Sequence, residues 1–276
     1  MVKLNYGKYS IPAILDKIIG LQLQLQKAGL LESGDVLGYY FSYEGVDSRY
    51  LNTPLDVIAF ARPGSDGIHF GFLTDFGQRK DLENTYIVRV SPMDFDDPVK
   101  IVARNIHDFL RILCFSPSVL DMVDFTTSER NLEKWVKECS QLSINQNKVR
   151  NMFCHTFQLT PIDSLYEYIQ KVKQERDTEI VLSTEDGIGV ASTNKNAINK
   201  QDLFQLDREQ ILEVKEVERF FRDSSYESKL AFLRDAQSKG LIFDNAEVKL
   251  YLKDQLRLID LWDEAERISY PELVNY

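Results

Sequence analysis

The stretch YLNTPLDVIAFARPGSDGIHFGFLTDF, Tyr50 to Phe76, constrains the fold more than any other part of the chain. It places an apolar segment (Asp56 to Ala61), a turn (Arg62 to Gly67) and an alternating run (Ile68 to Leu73) side by side. The turn has a mechanism: Pro63 fixes φ, and Gly64 and Gly67 permit positive φ. Ile68, Phe70 and Phe72 alternate with His69, Gly71 and Leu73, which is the period of a strand. The apolar segment before the turn is too short for periodicity to separate helix from strand. Thr53, Pro54 and Asp56 form a helix-start signature, and Leu55, Ile58, Ala59 and Phe60 would cover one helical face.

Ahead of this stretch, Ile11 to Ala28 reads as an amphipathic helix. Ser10 is placed to cap it, Pro12 falls in its first turn, and Ile14, Ile18, Leu21 and Leu25 repeat on one face. Gly29 supplies a left-handed residue at its end. VLGYYFSYEG is aromatic-rich and predicts a strand. After the polar loop DFGQRKDLEN, TYIVRVSP predicts another, with Tyr86, Val88 and Val90 on one face and Thr85, Ile87 and Arg89 on the other. MDFDDP is an acidic connector. Val99 to Phe115 reads as helix, with Ile101, Val102, Ile106, Phe109, Leu110 and Leu113 at helical spacing and Pro117 past its end. Glu129 to Gln141, containing Trp135 and Val136, reads as a further helix.

From Asn145 to Ser192 the pattern predicts a second small α+β unit. It has a strand over Phe153 to Leu159 and a helix opened by Thr160-Pro161-Ile162-Asp163 that buries Leu165, Tyr168, Ile169 and Val172. A hairpin follows, in which Glu179 to Ser183 and Ile188 to Ala191 flank Thr184-Glu185-Asp186-Gly187. Thr193 to Lys200 is polar and reads as a linker. Beyond Gln201 the pattern is helical. Asp207 opens one helix (Ile211, Val214, Val217, Phe221), and Ser225 opens another (Leu230, Leu233, Ala236) that Gly240 closes. Asp244, with Glu247 three residues on, opens a long third helix carrying Val248, Leu252, Ile259, Trp262 and Glu266. The expectation is an α+β domain over residues 1–192 and an all-helical extension over 201–276, arranged as an antiparallel bundle or as a cap on the α+β part.

Of the 276 residues, 43% are hydrophobic, enough to bury a sizeable core. The net charge of −10 repels phosphate backbones, which excludes nucleic acid as the default partner and makes a basic protein surface the natural complement. No apolar run approaches the roughly 20 residues of a membrane span. The opening MVKLNYGKYSIPAILDKIIGLQLQLQ lacks the graded basic, apolar and small-residue regions of a secretory signal. Cys114, Cys139 and Cys154 are odd in number and form no CxxC pair, which reads as free thiols in a reducing cytoplasm.

Candidate chemistry centres on Asp66-Gly67-Ile68-His69. An aspartate on a glycine turn and a histidine on the next strand are the residue types that share a proton or a metal ion. A metal site needs three or four ligands, however, and His107 and His155 stand far off in sequence at no ligand spacing. His69 lies on the opposite strand face from Ile68 and Phe70, which puts it in a polar slot or at the surface. His107-Asp108 and Cys154-His155 are sequence neighbours that point apart, so structural roles are expected. Asp94, Asp96 and Asp97 are spaced loosely like a calcium loop but lack its central glycine and closing glutamate. With Asp75, Asp81 and Glu83 they would instead build a negative face. No cofactor motif or metal set is present: there is no GxSxG, P-loop, HExxH or GxGxxG.

TPLDVIAFARPGSDGIHFGFL, the strand YIVRVSP and the helix ending NIHDFLRIL together resemble the SUKH superfamily of bacterial immunity proteins and fungal cell-wall-synthesis regulators. Pro54, Gly64, Gly67, Phe109 and Leu110 occupy the places of its proline-led helix, glycine turn and closing Phe-Leu helix, and the likeness covers roughly Ile11 to Leu113. The resemblance implies a mixed or mainly antiparallel sheet flanked by helices, no catalytic residues, and function by binding. An immunity protein neutralises a toxin by occluding it, and an acidic one suits a basic toxin. The expected contact residues are Asp66, His69, Asp75, Asp81, Glu83, Asp94, Asp96 and Asp97. Two other classes remain open on the residues: a metal-assisted or acid–base hydrolase using His69 and Asp66, and a scaffold that oligomerises through its helical tail.

Overall fold

The computed structural model describes residues 2–31, 34–44, 49–94, 97–122, 126–137, 142–192, 203–207, 209 and 211–269. The chain opens with helices α1 (Val2–Tyr6) and α2 (Ala13–Lys27). Pro12 stands at the N-cap of α2 and offers no side-chain cap, so Ser10 does not fill that role. The first turn is served instead from afar, by Glu83, whose Oε1 accepts from the Ile14 N–H at 3.0 Å. The aromatic-rich stretch yields only a two-residue strand, β1 (Tyr40–Phe41), whose main chain is clamped to α2 by both ends of the Gln22 amide.

Strands β2 (Val57–Arg62), β3 (His69–Leu73), β4 (Ile87–Val90) and β5 (Val99–Ala103) complete a five-stranded antiparallel meander in the order β1-β2-β3-β4-β5. The apolar segment left open by periodicity is therefore a strand. Thr53 and Pro54 do not start a helix because Arg49 holds that segment in turns, its guanidinium donating to the carbonyls of Val57 (2.8 Å), Pro54 (3.0 Å) and Thr53 (3.3 Å). Val99 to Ala103 is also a correction: these residues pair with β4 (Val90 opposite Val99) rather than beginning a helix. The helix α3 (Ile106–Phe115) starts only where the Asn105 side chain caps it, accepting from the Asp108 N–H. The run VKIVA satisfies both periods, and its β-branched residues favour the pleated surface.

Helices α4 (Pro117–Met122), α5 (Glu129–Lys137), α6 (Ile144–Phe157) and α7 (Leu165–Glu179) follow, then a hairpin of β6 (Ile180–Leu182) and β7 (Val190–Ala191). The strand expected over Phe153 to Leu159 is instead the end of α6. Ser143 and Gln146 form a reciprocal capping box at its start, Val149, Phe153 and Phe157 share its buried face, and Gln158 ends it in the left-handed region. The hairpin lies where Asp186-Gly187 predicts it. The expected linker, 193–200, and Cys139 lie outside the described residues; Cys114 and Cys154 are free thiols.

The tail contributes α8 (Val214–Asp223), α9 (Tyr226–Ser238), α10 (Leu241–Asp244), α11 (Ala246–Leu258) and α12 (Trp262–Arg267). Asp207 does not open the first of these, which begins after Glu213. Asn245, not Asp244, caps α11. The expected long last helix is broken between α11 and α12, where Asp260 takes φ +62°. Among the described residues no helix is long and apolar enough to cross a membrane.

Both faces of the sheet are buried. On one face Ile58, Phe60, Phe70 and Phe72 pack with Leu15 and Ile18 of α2, Phe109 of α3 and Phe153 of α6. Phe60 stacks on Phe72 with ring centroids 4.4 Å apart, and Phe109 meets Phe70 at 5.2 Å. On the other face Val57, Leu73, Val88, Val90 and Ile101 pack with Val172 of α7 and Ile188. Gly71 keeps the strands close, since a Cβ there would lie 2.4 Å from Val57 Cγ1 and 2.9 Å from the Ile58 carbonyl oxygen. A further cluster joins Leu55, Phe76, Leu182 and Val190 to the helices of the tail. The tail is thus a cap on the α+β part.

Candidate functional site

His69 is fully buried in β3 and both its ring nitrogens have partners. Nδ1 lies 2.9 Å from the Gly67 carbonyl and Nε2 3.2 Å from Thr53 Oγ1. A carbonyl only accepts, so Nδ1 carries the proton and Nε2 accepts from the Thr53 hydroxyl. Thr53 Oγ1 in turn accepts from the Tyr50 N–H at 2.8 Å. The Tyr50 ring lies nearly parallel to the imidazole, at a centroid distance of 6.2 Å. Gly67 makes this possible, with φ +69° and its α-carbon so near the Tyr50 ring that a Cβ would lie 2.5 Å from it. Burial pushes the imidazole pKa down to about 4, helped by the neighbouring Arg49 cation and opposed by the Gly67 hydrogen bond. His69 is therefore a neutral core residue filling a polar slot. Asp66 sits exposed in the turn with φ +50°, so the two residues do not meet as an acid–base pair.

The expected negative face is not one surface. In an antiparallel meander the β2–β3 and β4–β5 turns share one end of the sheet and the β3–β4 connection lies at the other. Asp66, Asp94 and Asp97 fall at the first end and Asp75, Asp81 and Glu83 at the second. Asp97 is paired with Lys100 at 2.9 Å, Asp94 is exposed, and Asp96 lies outside the described residues. At the opposite end Asp81 caps the short 3-10 turn Leu82–Asn84, and Glu83 serves the start of α2. Asp75 is buried and cannot contact a partner.

What surrounds Asp75 is a buried cluster of opposite charges that the sequence reading did not anticipate. Arg176 of α7 grips Asp75 with two parallel bonds of 2.9 Å and donates to the Ile188 and Gly189 carbonyls. Arg79 adds a third contact to Asp75 at 2.7 Å. Burial pushes the Asp75 carboxyl up, but the Arg176, Arg234 and Arg79 guanidiniums together outweigh this and hold it below the usual range. Arg234 of α9 lies across from them, 2.6 Å from Asp56, 3.2 Å from Asp186 and 3.8 Å from Asp75, with its guanidinium over the Phe76 ring at 5.0 Å. Three aspartates thus face three arginines, contributed by the β2 approach, the β3–β4 connection, α7, the β6–β7 turn and α9.

The same junction continues through main-chain contacts. Gln237 accepts from the Leu55 N–H at 3.0 Å and donates to the Thr53 carbonyl. Arg267 of α12 donates to the carbonyls of Leu55 (2.9 Å) and Asn5 (2.8 Å), joining the two ends of the described chain, and pairs with fully buried Glu264 at 3.7 Å. These bonds fix the helical cap to the sheet with directional contacts as well as apolar packing.

Asp235, next to Arg234, accepts from the Glu185 N–H at 2.7 Å, and burial pushes its pKa up to about 7. A carboxyl whose folded pKa lies above its unfolded value favours folding most at acid pH, and that contribution is lost as pH rises through about 7. Asp235→Asn keeps an oxygen for Glu185 and carries no charge. Its melting temperature is expected to exceed that of the parent by about 2–4 °C at pH 8 and to lose that advantage near pH 4, as scanning calorimetry would record. An equal difference at both pH values would contradict the assignment.

Chemically, the junction is a set of buried ion pairs in which Asp56 Oδ1, Arg234 Nε and both Glu264 carboxylate oxygens accept or donate no hydrogen bond among the described residues, and burial pushes the Asp56 and Glu264 carboxyls up. No group of three or more histidine, cysteine, aspartate or glutamate side chains among the described residues is arranged to hold a metal ion. In comparison with known proteins, no family model and no curated protein matches this chain.

Proposed function

We propose that this chain is a non-enzymatic protein-interaction module that binds a basic partner protein, in the manner of an immunity protein that neutralises its target by covering it. One observation carries the reading. His69, the histidine that the sequence offers for proton or metal chemistry, spends both ring nitrogens on Thr53 and the Gly67 carbonyl, and Asp75, expected on the binding face, is held by Arg176 and Arg79 inside the fold. Groups so committed hold a scaffold in shape. The net charge of −10 supports a basic partner, since opposite potentials speed encounter. The resemblance of TPLDVIAFARPGSDGIHFGFL, YIVRVSP and the helix ending NIHDFLRIL to the SUKH superfamily supports the same class. The free thiols of Cys114 and Cys154 suit work in the cytoplasm.

The test is capture from an extract of the source organism with the full chain as bait. A basic protein held in stoichiometric amount at low salt and released as salt rises is the expected result. Turnover of a small substrate, or no stoichiometric protein at low salt, would overturn it. A second reading, self-association through the tail, is favoured by the exposed Leu250, Leu258 and Trp262 on α11 and α12, which are 63%, 75% and 57% accessible.

A further inference from the structure

The geometry points to a docking groove for a basic amphipathic helix of a partner protein, walled by α3, α5 and the residues that lead into α7. The inference rests on the interaction reading and names the surface and the kind of segment it takes. The cleft has a volume of about 530 Å³. Its floor is apolar: Ile112 and Phe115 come from α3 and Leu132 from α5, with Val136 and Ile162 on the sides. Ile112 and Leu132 are buried at its base, while Val136 is exposed and Phe115 and Ile162 are half-buried, so these three meet an incoming side chain.

The rim decides the sign of the partner. Glu129 and Asp163 stand exposed at the edges of the cleft. The cation that lines it, Arg111, is already committed, donating to the carbonyls of Thr160 (2.9 Å) and Pro161 (3.0 Å) and pairing with Asp108 at 3.0 Å. What a partner meets is an apolar trough with negative edges. The walls come from two helices and a helix-entry segment, with no strand edge to extend, so an added strand has nothing to pair with. A helix does fit: apolar residues at helical spacing enter the trough while flanking lysines or arginines meet Glu129 and Asp163.

The test uses the full chain and a labelled synthetic peptide of about 18 residues, with leucines at helical spacing and lysines elsewhere. Saturable binding at low salt is expected. The double variant Glu129→Lys/Asp163→Lys should weaken it by about tenfold or more. A charge-matched control at the sheet end, Asp66→Lys/Asp94→Lys, should weaken it by less than about twofold. Val136→Glu separates groove docking from general attraction: it adds negative charge yet should also weaken binding about tenfold, because it spoils the apolar wall. Circular dichroism checks that each variant folds. No saturable binding, equal losses in the two charge-reversed pairs, or unchanged binding by Val136→Glu would overturn the groove. If the peptide fails while a basic protein is still captured from extract, the groove falls and the interaction reading stands; if capture fails, that reading falls whatever the peptide does.

Discussion

Arg234→Met is expected to cost the protein about 3–5 kcal/mol of folding stability, the range found when one partner of a buried ion pair is removed. Methionine replaces the aliphatic stem of arginine but not the guanidinium over the Phe76 ring, so lost packing there adds to the charges left behind. Asp56 and Asp186 lose their contacts of 2.6 and 3.2 Å, while Asp75 keeps Arg176 and Arg79. Arg234→Lys should fall between the two, because one ammonium cannot span both carboxylates as the planar guanidinium does. Adding Asp56→Asn and Asp186→Asn to the methionine variant should recover part of the loss, since two uncompensated charges are then gone. Urea denaturation of the four proteins measures these differences. A loss below about 1 kcal/mol in Arg234→Met, the scale of a surface pair, would mean that the junction does not hold the cap to the sheet.

Acid should expose His69 as a weak point. Its folded pKa, pushed down by burial to about 4, lies below the model-peptide value near 6.5. The unfolded chain therefore takes up a proton first. The stabilising contribution of neutral His69 is complete above about pH 6.5, falls as pH drops, and is gone below about pH 4, a total on the order of 3 kcal/mol. Asp235 acts in the opposite sense over part of the same range, so the parent profile alone hides the effect. The informative quantity is the difference between the parent and His69→Asn, which keeps a donor for Gly67 but cannot titrate. That variant is expected to be less stable at pH 7 and to close the gap steadily toward pH 4. A constant gap from pH 7 to pH 4 would contradict a neutral, buried histidine. Asp75 does not confuse the measurement, because its depressed pKa moves its loss to still lower pH.

The fold class was legible because most elements carry one clear period. Ile68 to Leu73 alternates and carries the strand His69–Leu73; Asp186-Gly187 between apolar runs is a hairpin turn; Ser225 and Gly240 bracket α9. The failures lie where two periods fit one run or where distant residues decide. VKIVA preceding a true helix satisfies both spacings, and only pairing with β4 settles it. Phe153 and Phe157 read as strand by composition, while their four-residue separation is the helical signal that was available.

The charge junction was readable only in part. Arg176 continues the buried face of α7 set by Ile169 and Val172, and Arg234 stands between buried Leu233 and Ala236, so an arginine at a core position was visible. Its partners were not: Asp56, Asp75 and Asp186 lie far away in the chain, and nothing local links them to it. The same limit misplaced the negative face, since spacing along the chain does not tell which end of a meander a turn occupies.

The central claim, that this chain works by binding another protein while its buried charges serve the fold, is tested most directly by the mass of the complex it forms. Light scattering coupled to size exclusion, on chain recovered at low salt with whatever protein accompanies it, should give more than the 32.0 kDa of one chain by the mass of one basic partner, and return to 32.0 kDa at high salt. A mass of 32.0 kDa at both salt concentrations, or a whole multiple of it with no second protein present, would contradict the claim.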